Sequence, residues 1–183
     1  DGVRLREALA GGPVHATLTS ETRTGWSRVR MPVTEIPGQT DEFVLVAGHI
    51  DSWHYGATDN ATGNVSCLEL ARLCKKHQAE LRRGVRVAWW IGHSTGRYAG
   101  SAWYADQHWA ELDEHCVAYI NIDSPGSLGA TDYGVVSAVP ETARIVREAV
   151  QHVTGQSPEI ERPMRAGDQS FWGVGIPSLF MLL

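Results

Sequence analysis

His49, Asp51, Asp59, His93, Ser94 and Asp123 are the residues of this sequence whose types and spacing could do chemistry. Imidazole with carboxylate is the donor mix that suits Zn²⁺ or a related divalent cation. His49 and Asp51 form an H-x-D pair, close enough for Asp51 to receive the second ring N–H and fix the tautomer of a metal-bound imidazole. Asp59 lies in "HYGATDNATG", just before a helical pattern, and Asp123 closes "CVAYINID". Each has a plain structural reading on its own: a common dipeptide spacing, a helix N-cap, a turn residue. Helix capping does not explain why they gather at the ends of successive strand-like runs.

Gly92-His93-Ser94-Thr95-Gly96 offers a second chemistry. It satisfies G-x-S-x-G, the strand-to-helix turn that presents a serine nucleophile, and Asp123 and His152 supply the order Ser…Asp…His. This serine-hydrolase reading leaves His49, Asp51 and Asp59 without a role.

The elements that must position these residues follow from hydrophobic periodicity. "EFVLVAGHI" (42–50), "VRVAWWI" (85–91), "CVAYINID" (116–123), "GVVSA" (134–138) and a run near 178–182 read as strands. "DNATGNVSCLELARLCKKHQ", with Val65, Leu68 and Leu73 at helical spacing, residues 99–114, and "ETARIVREAVQHV" read as helices. "RLREAL" is a short helix, and 14–23 with 27–36 predict a hairpin around Thr24-Gly25. Alternating strands and helices of these lengths predict an α/β three-layer sandwich: a mostly parallel mixed central sheet with helices on both faces. In such sheets ligands bind at the carboxyl ends of the strands, which is where His49, Asp51, His93, Ser94 and Asp123 fall.

Bulk properties exclude other classes. A net charge of −5 and a pI near 5.9 leave no basic stripe to neutralise phosphates, so no nucleic-acid partner is expected. No apolar run reaches the roughly 20 residues of a membrane-spanning helix, so no membrane insertion is expected. The three cysteines, Cys67, Cys74 and Cys116, have no C-x-x-C spacing and form neither a disulfide framework nor a zinc ribbon; Cys67 and Cys74 are expected in or near the core. Composition gives no localisation.

"FVLVAGHIDSWHYGATDNATGNVSCLELARL" resembles the zinc aminopeptidases of family M28, with their H-x-D-S and G-A-x-D-N-x-S/T-G signature. "AYINIDSPG" and "GIPSLFML" resemble that family's third metal-binding strand and last core strand. The resemblance implies a zinc-exopeptidase-like fold and metal-dependent hydrolysis of peptide or small amide substrates by a metal-activated water. It implies that His49 binds the first metal, Asp59 bridges two, Asp123 completes the first site and Asp51 orients His49. It also implies a domain spanning 39–183, apparently truncated at its C-terminal end, after a hairpin or connector segment over 1–38 that packs on it.

One position breaks the pattern. Where the family carries adjacent glutamates, a general base and a ligand, this chain has His93 and Ser94, or Ser94 and Thr95 if Gly100-Ser101 sets the register. No Asp or Glu occurs between Val85 and Ala105. His93 then serves as base or as extra ligand, and the centre holds one or two Zn²⁺ ions. His54 is a further candidate donor, Asp168-Gln169 occupies a loop that the family sets beside its site, and the family's last histidine ligand would lie past Leu183. Two other readings stay open on these residues: a non-catalytic M28-like scaffold, and a cyclase-type reaction on the same fold.

Overall fold

A computed structural model describes residues 2–164 and 169–181. Its centre is a seven-stranded sheet built from β1 (Val33–Ile36), β2 (Phe43–His49), β3 (Gly84–Trp90), β4 (Cys116–Ile122), β5 (Val135–Ala138), β6 (Glu159–Glu161) and β7 (Ser178–Met181). The order across the sheet is β1-β3-β2-β4-β7-β5-β6. β2 runs parallel to both β3 and β4, β4 parallel to β7, and β5 parallel to β6; β1 pairs antiparallel with β3 and β5 with β7. "FVLVAGH" has the nearly unbroken apolar run of a strand covered on both faces, and all but one of its residues are buried.

The chain leaves β2 for β3 on one side and returns to β4 on the other. Strand order therefore reverses around β2, which opens a crevice at the carboxyl ends of β2, β3 and β4. On one face α2 (Gly63–Lys76) packs with Val46, Val87 and Ile36, and α5 (Pro140–Thr154) packs with Val136, Ala138 and Leu179. The opposite face carries α3 (Ala99–Gln107), α4 (Trp109–His115) and α6 (Gln169–Trp172), around Leu45, Trp90, Tyr104, Leu112, Tyr119 and Phe171. A mostly parallel mixed sheet with helices on both faces is the architecture expected from the sequence, to which β6 adds an unexpected edge strand.

The helix after Asp59 turns Gly63, Cys67 and Ala71 to the sheet, as expected for Cys67, while Val65, Leu68 and Leu73 are exposed. A stripe of small residues four apart lets the helix sit close to the strands, with Leu70 and Cys74 packed beside it. The helix expected over 99–114 breaks at His108 into α3 and α4. The expected hairpin does not form: residues 13–32 contain no strand, and only Val33–Ile36 of that region joins the sheet. Val14, Leu18, Trp26 and Val29 are exposed, so an isolated two-stranded ribbon there would have no surface to bury against. The preceding helix, α1 (Gly2–Ala10), buries no residue.

Candidate metal centre

His49 is the last residue of β2, and its side chain is only 2% exposed. Its Nδ1–H donates to the main-chain carbonyl of Asp51 at 2.7 Å. A carbonyl only accepts, so this bond fixes the tautomer and leaves Nε2 to face the crevice. There Nε2 meets Asp59 Oδ1 at 2.8 Å and Asp123 Oδ1 at 3.3 Å. The sequence led to the expectation that the Asp51 side chain orients His49; the structure gives that role to the Asp51 backbone.

Asp59 sits in a wound turn, Ala57–Thr62, whose Asp59 and Asn60 angles are not helical and whose Asp59–Asn60 peptide is cis. Neither residue caps α2. Asn60 is buried and ties this turn to the end of β4: its Nδ2 donates to the Ile122 carbonyl at 3.0 Å, and its Oδ1 accepts from the Ser124 N–H at 3.0 Å. Gly48 and Gly63 make room for it. A Cβ on Gly63 would press on the Asn60 side chain and lie 2.7 Å from the Ile122 carbonyl, and one on Gly48 would lie 2.8 Å from that same oxygen. Asn60 is the residue that sets the Asp59 turn against the strand carrying Asp123.

Asp123 follows β4 directly, and its Oδ1 also accepts the Ser124 hydroxyl at 3.1 Å. Burial works to raise its carboxyl, but the hydrogen bond and charge of His49 outweigh that and hold it below the usual carboxylate value. For His49, burial pulls the imidazole down, yet the Asp123 hydrogen bond and charge, with Asp51 and Asp59, leave it raised. A proton on Nε2 would lie between two carboxylates, and that same nitrogen is the one a cation would take.

The turn after β3 is organised by the Asp51 carboxylate. It accepts N–H bonds from His93 at 3.0 Å, Ser94 at 2.9 Å and Thr95 at 3.2 Å, plus the Thr95 hydroxyl at 3.2 Å. Burial tends to raise the Asp51 carboxyl, but these backbone donors bring it below its usual value. One residue thus holds His49 through its carbonyl and the His93 turn through its carboxylate. His93 stacks face to face on His49, with ring centroids 3.9 Å apart and planes 6° from parallel, and meets Tyr98 edge-on. Burial, and then the His49 charge, lower the His93 imidazole despite the nearby carboxylates.

Ser94 is not in the geometry of a nucleophile turn. The left-handed residues here are Gly92, Arg97 and Tyr98, and α3 begins only at Ala99, well beyond the serine. Asp123 is engaged with His49, and His152 lies exposed on α5. His54 is exposed as well, and Asp168 lies outside the described residues. His49, His93 and Asp123 form the one group of three metal-capable side chains among the described residues, with ligand atoms all within 4.8 Å of one another. Asp59 meets His49 from outside that group, on a side chain 55% exposed. A nearly buried imidazole with a fixed tautomer and two carboxylate oxygens against its free nitrogen suits a divalent cation.

Comparison with known proteins adds a family to this geometry. Residues 33–177 match peptidase family M28. The aminopeptidase NAALADL1 of Mus musculus is 35% identical over 89 residues, which are 46% of this chain and 12% of that protein. The probable glutamate carboxypeptidase VP8 of Zea mays is 28% identical over 120 residues, 63% of this chain and 17% of that protein. The chain therefore spans less than a fifth of the length of these relatives. Among solved structures, the Legionella pneumophila LapA aminopeptidase superposes with a TM-score of 0.67 at 19% identity, covering 87% of this chain and 45% of that one. The zinc aminopeptidase BSAP of Bacillus subtilis gives 0.65 at 18% identity, over 83% of this chain and 38% of that one. At these identities the superpositions speak to the fold.

Proposed function

The chain belongs to peptidase family M28, and from that premise we propose that it hydrolyses amide or peptide bonds at a metal centre, as an aminopeptidase. The observation that carries this reading is the meeting of Asp59 and Asp123 on Nε2 of His49, at the carboxyl ends of neighbouring strands. His49, Asp59 and Asp123 would hold the cation, zinc by the chemistry of the donors. Bound there, it would polarise the scissile carbonyl and ready a water for attack near neutral pH. His93, whose imidazole burial lowers from its ordinary value, is the proton acceptor beside it. Asp51 is a positioning residue: it fixes the His49 tautomer and holds the turn that carries His93. The two carboxylates also attract the positively charged amino terminus of a peptide.

Hydrolysis of aminoacyl anilides by the full-length protein tests this. Activity should vanish with a chelator and return with added Zn²⁺. Activity that survives chelation and disappears in Ser94→Ala would overturn it in favour of the serine. A second reading, a non-catalytic scaffold, is favoured by one observation: the turn after β3 carries no carboxylate. Bound metal without turnover on any peptide or amide would select it.

A further inference from the structure

We infer that this centre takes a single divalent cation and that His93 stays outside its coordination sphere. The inference rests on the metal-centre reading above and departs from the two-metal arrangement that the sequence resemblance implies. Two observations carry it.

The first is direction. His93 and His49 lie face to face, 3.9 Å between centroids and 6° from parallel. An imidazole nitrogen offers its lone pair in the plane of the ring. Stacked rings stand at van der Waals separation, about 3.5 Å, whereas a Zn–N bond is only about 2.0–2.1 Å long. A cation in the plane of His49 would therefore stand more than one bond length off the plane of His93, with no His93 lone pair aimed at it. The ligand atoms are close enough to share an ion, but those of His93 point the wrong way. Asp59, on a mostly exposed side chain already at 2.8 Å from Nε2, has the freedom to close on the ion instead.

The second is charge and donor supply. Asp59 and Asp123 bring two negative charges to Nε2, which match one divalent cation. Asp51 adds a third, but its oxygens are committed to the amides of 93–95 and the Thr95 hydroxyl. Against the carboxylates of the described residues, two divalent cations would leave uncompensated positive charge in a partly buried crevice, which desolvation penalises. The turn that would have to supply the second ion offers an imidazole and neutral hydroxyls, and no carboxylate lies between Val85 and Ala105. Among the described residues there is no second group of three metal-capable side chains.

The test uses the full chain, stripped with a chelator and titrated with Zn²⁺ by calorimetry and with Co²⁺ by visible absorption. One equivalent is expected. His93→Phe, which keeps a stacked ring but has no nitrogen, should also bind one equivalent, with Kd within about twofold of the parent and an unchanged Co²⁺ band; circular dichroism verifies its fold. Two equivalents in the parent overturn the inference, as does a lost site or a shifted Co²⁺ band in folded His93→Phe. The parent stoichiometry decides even if that variant does not fold. A parent that binds no cation at all removes the underlying metal-centre reading, a different failure.

Discussion

At the scale of the residue, the centre turns on Nε2 of His49, which faces Asp59 and Asp123; burial works against the charged forms, but the pairing lifts His49 above its ordinary value and lowers Asp123. A base raised in the folded state lends stability that is complete below its unfolded value and fades as pH climbs through the folded one. An acid lowered in the folded state lends stability that is present above its unfolded value and fades as pH falls through the folded one. The pair therefore helps the metal-free protein most between about pH 4 and 6.5. Its Tm advantage over His49→Gln should be largest there and shrink as pH climbs through the raised His49 value. A cation competes for the same nitrogen, so zinc affinity should rise with pH through the His49 range. Melting curves and zinc titrations across that range check both, and a flat affinity would contradict the account. The types of His49, Asp59 and Asp123 made them legible as metal-capable groups. The division of labour inside Asp51, carbonyl to one histidine and carboxylate to the turn of the other, was not legible, because hydrogen-bond direction depends on backbone placement that no spacing encodes.

At the scale of the element, the strand ends present the side chains, and a buried amide sets how they face one another. Asn60 spans from the Asp59 turn to Ile122 and Ser124, in space left by Gly48 and Gly63. Gly63→Ala should push Asn60 and the start of α2 away from β4. The expected cost is about 1–3 kcal/mol of stability, with weakened zinc binding; denaturant melts and zinc titration measure both, and an unchanged protein would show that the turn is not held this way. Strands β2, β3 and β4 were readable from sequence because each is a buried apolar run, and periodicity sees such runs well. The face that α2 turns to the sheet was legible at Cys67, expected in or near the core with Cys74, while the close approach at Gly63 was not, because it depends on backbone placement. The hairpin gave way to a different pairing: Val33–Ile36 joins β3, while Val14, Leu18 and Trp26 of the expected partner region stay exposed.

At the scale of the whole molecule, reversal of strand order around β2 is what gathers residues from distant parts of the chain: His49, then His93, then Asp123. The sequence carried this much of the fold because parallel strands joined by helices admit few topologies. It carried less of the N-terminal region, where α1 and residues 13–30 are exposed. The central claim is that ends of neighbouring strands converge on one ion. Anomalous diffraction at the zinc edge from zinc-loaded crystals of the protein tests it most directly. The account predicts one peak within coordination distance of His49 Nε2 and of the Asp59 and Asp123 carboxylates. A peak elsewhere, or none in the crevice, would contradict it.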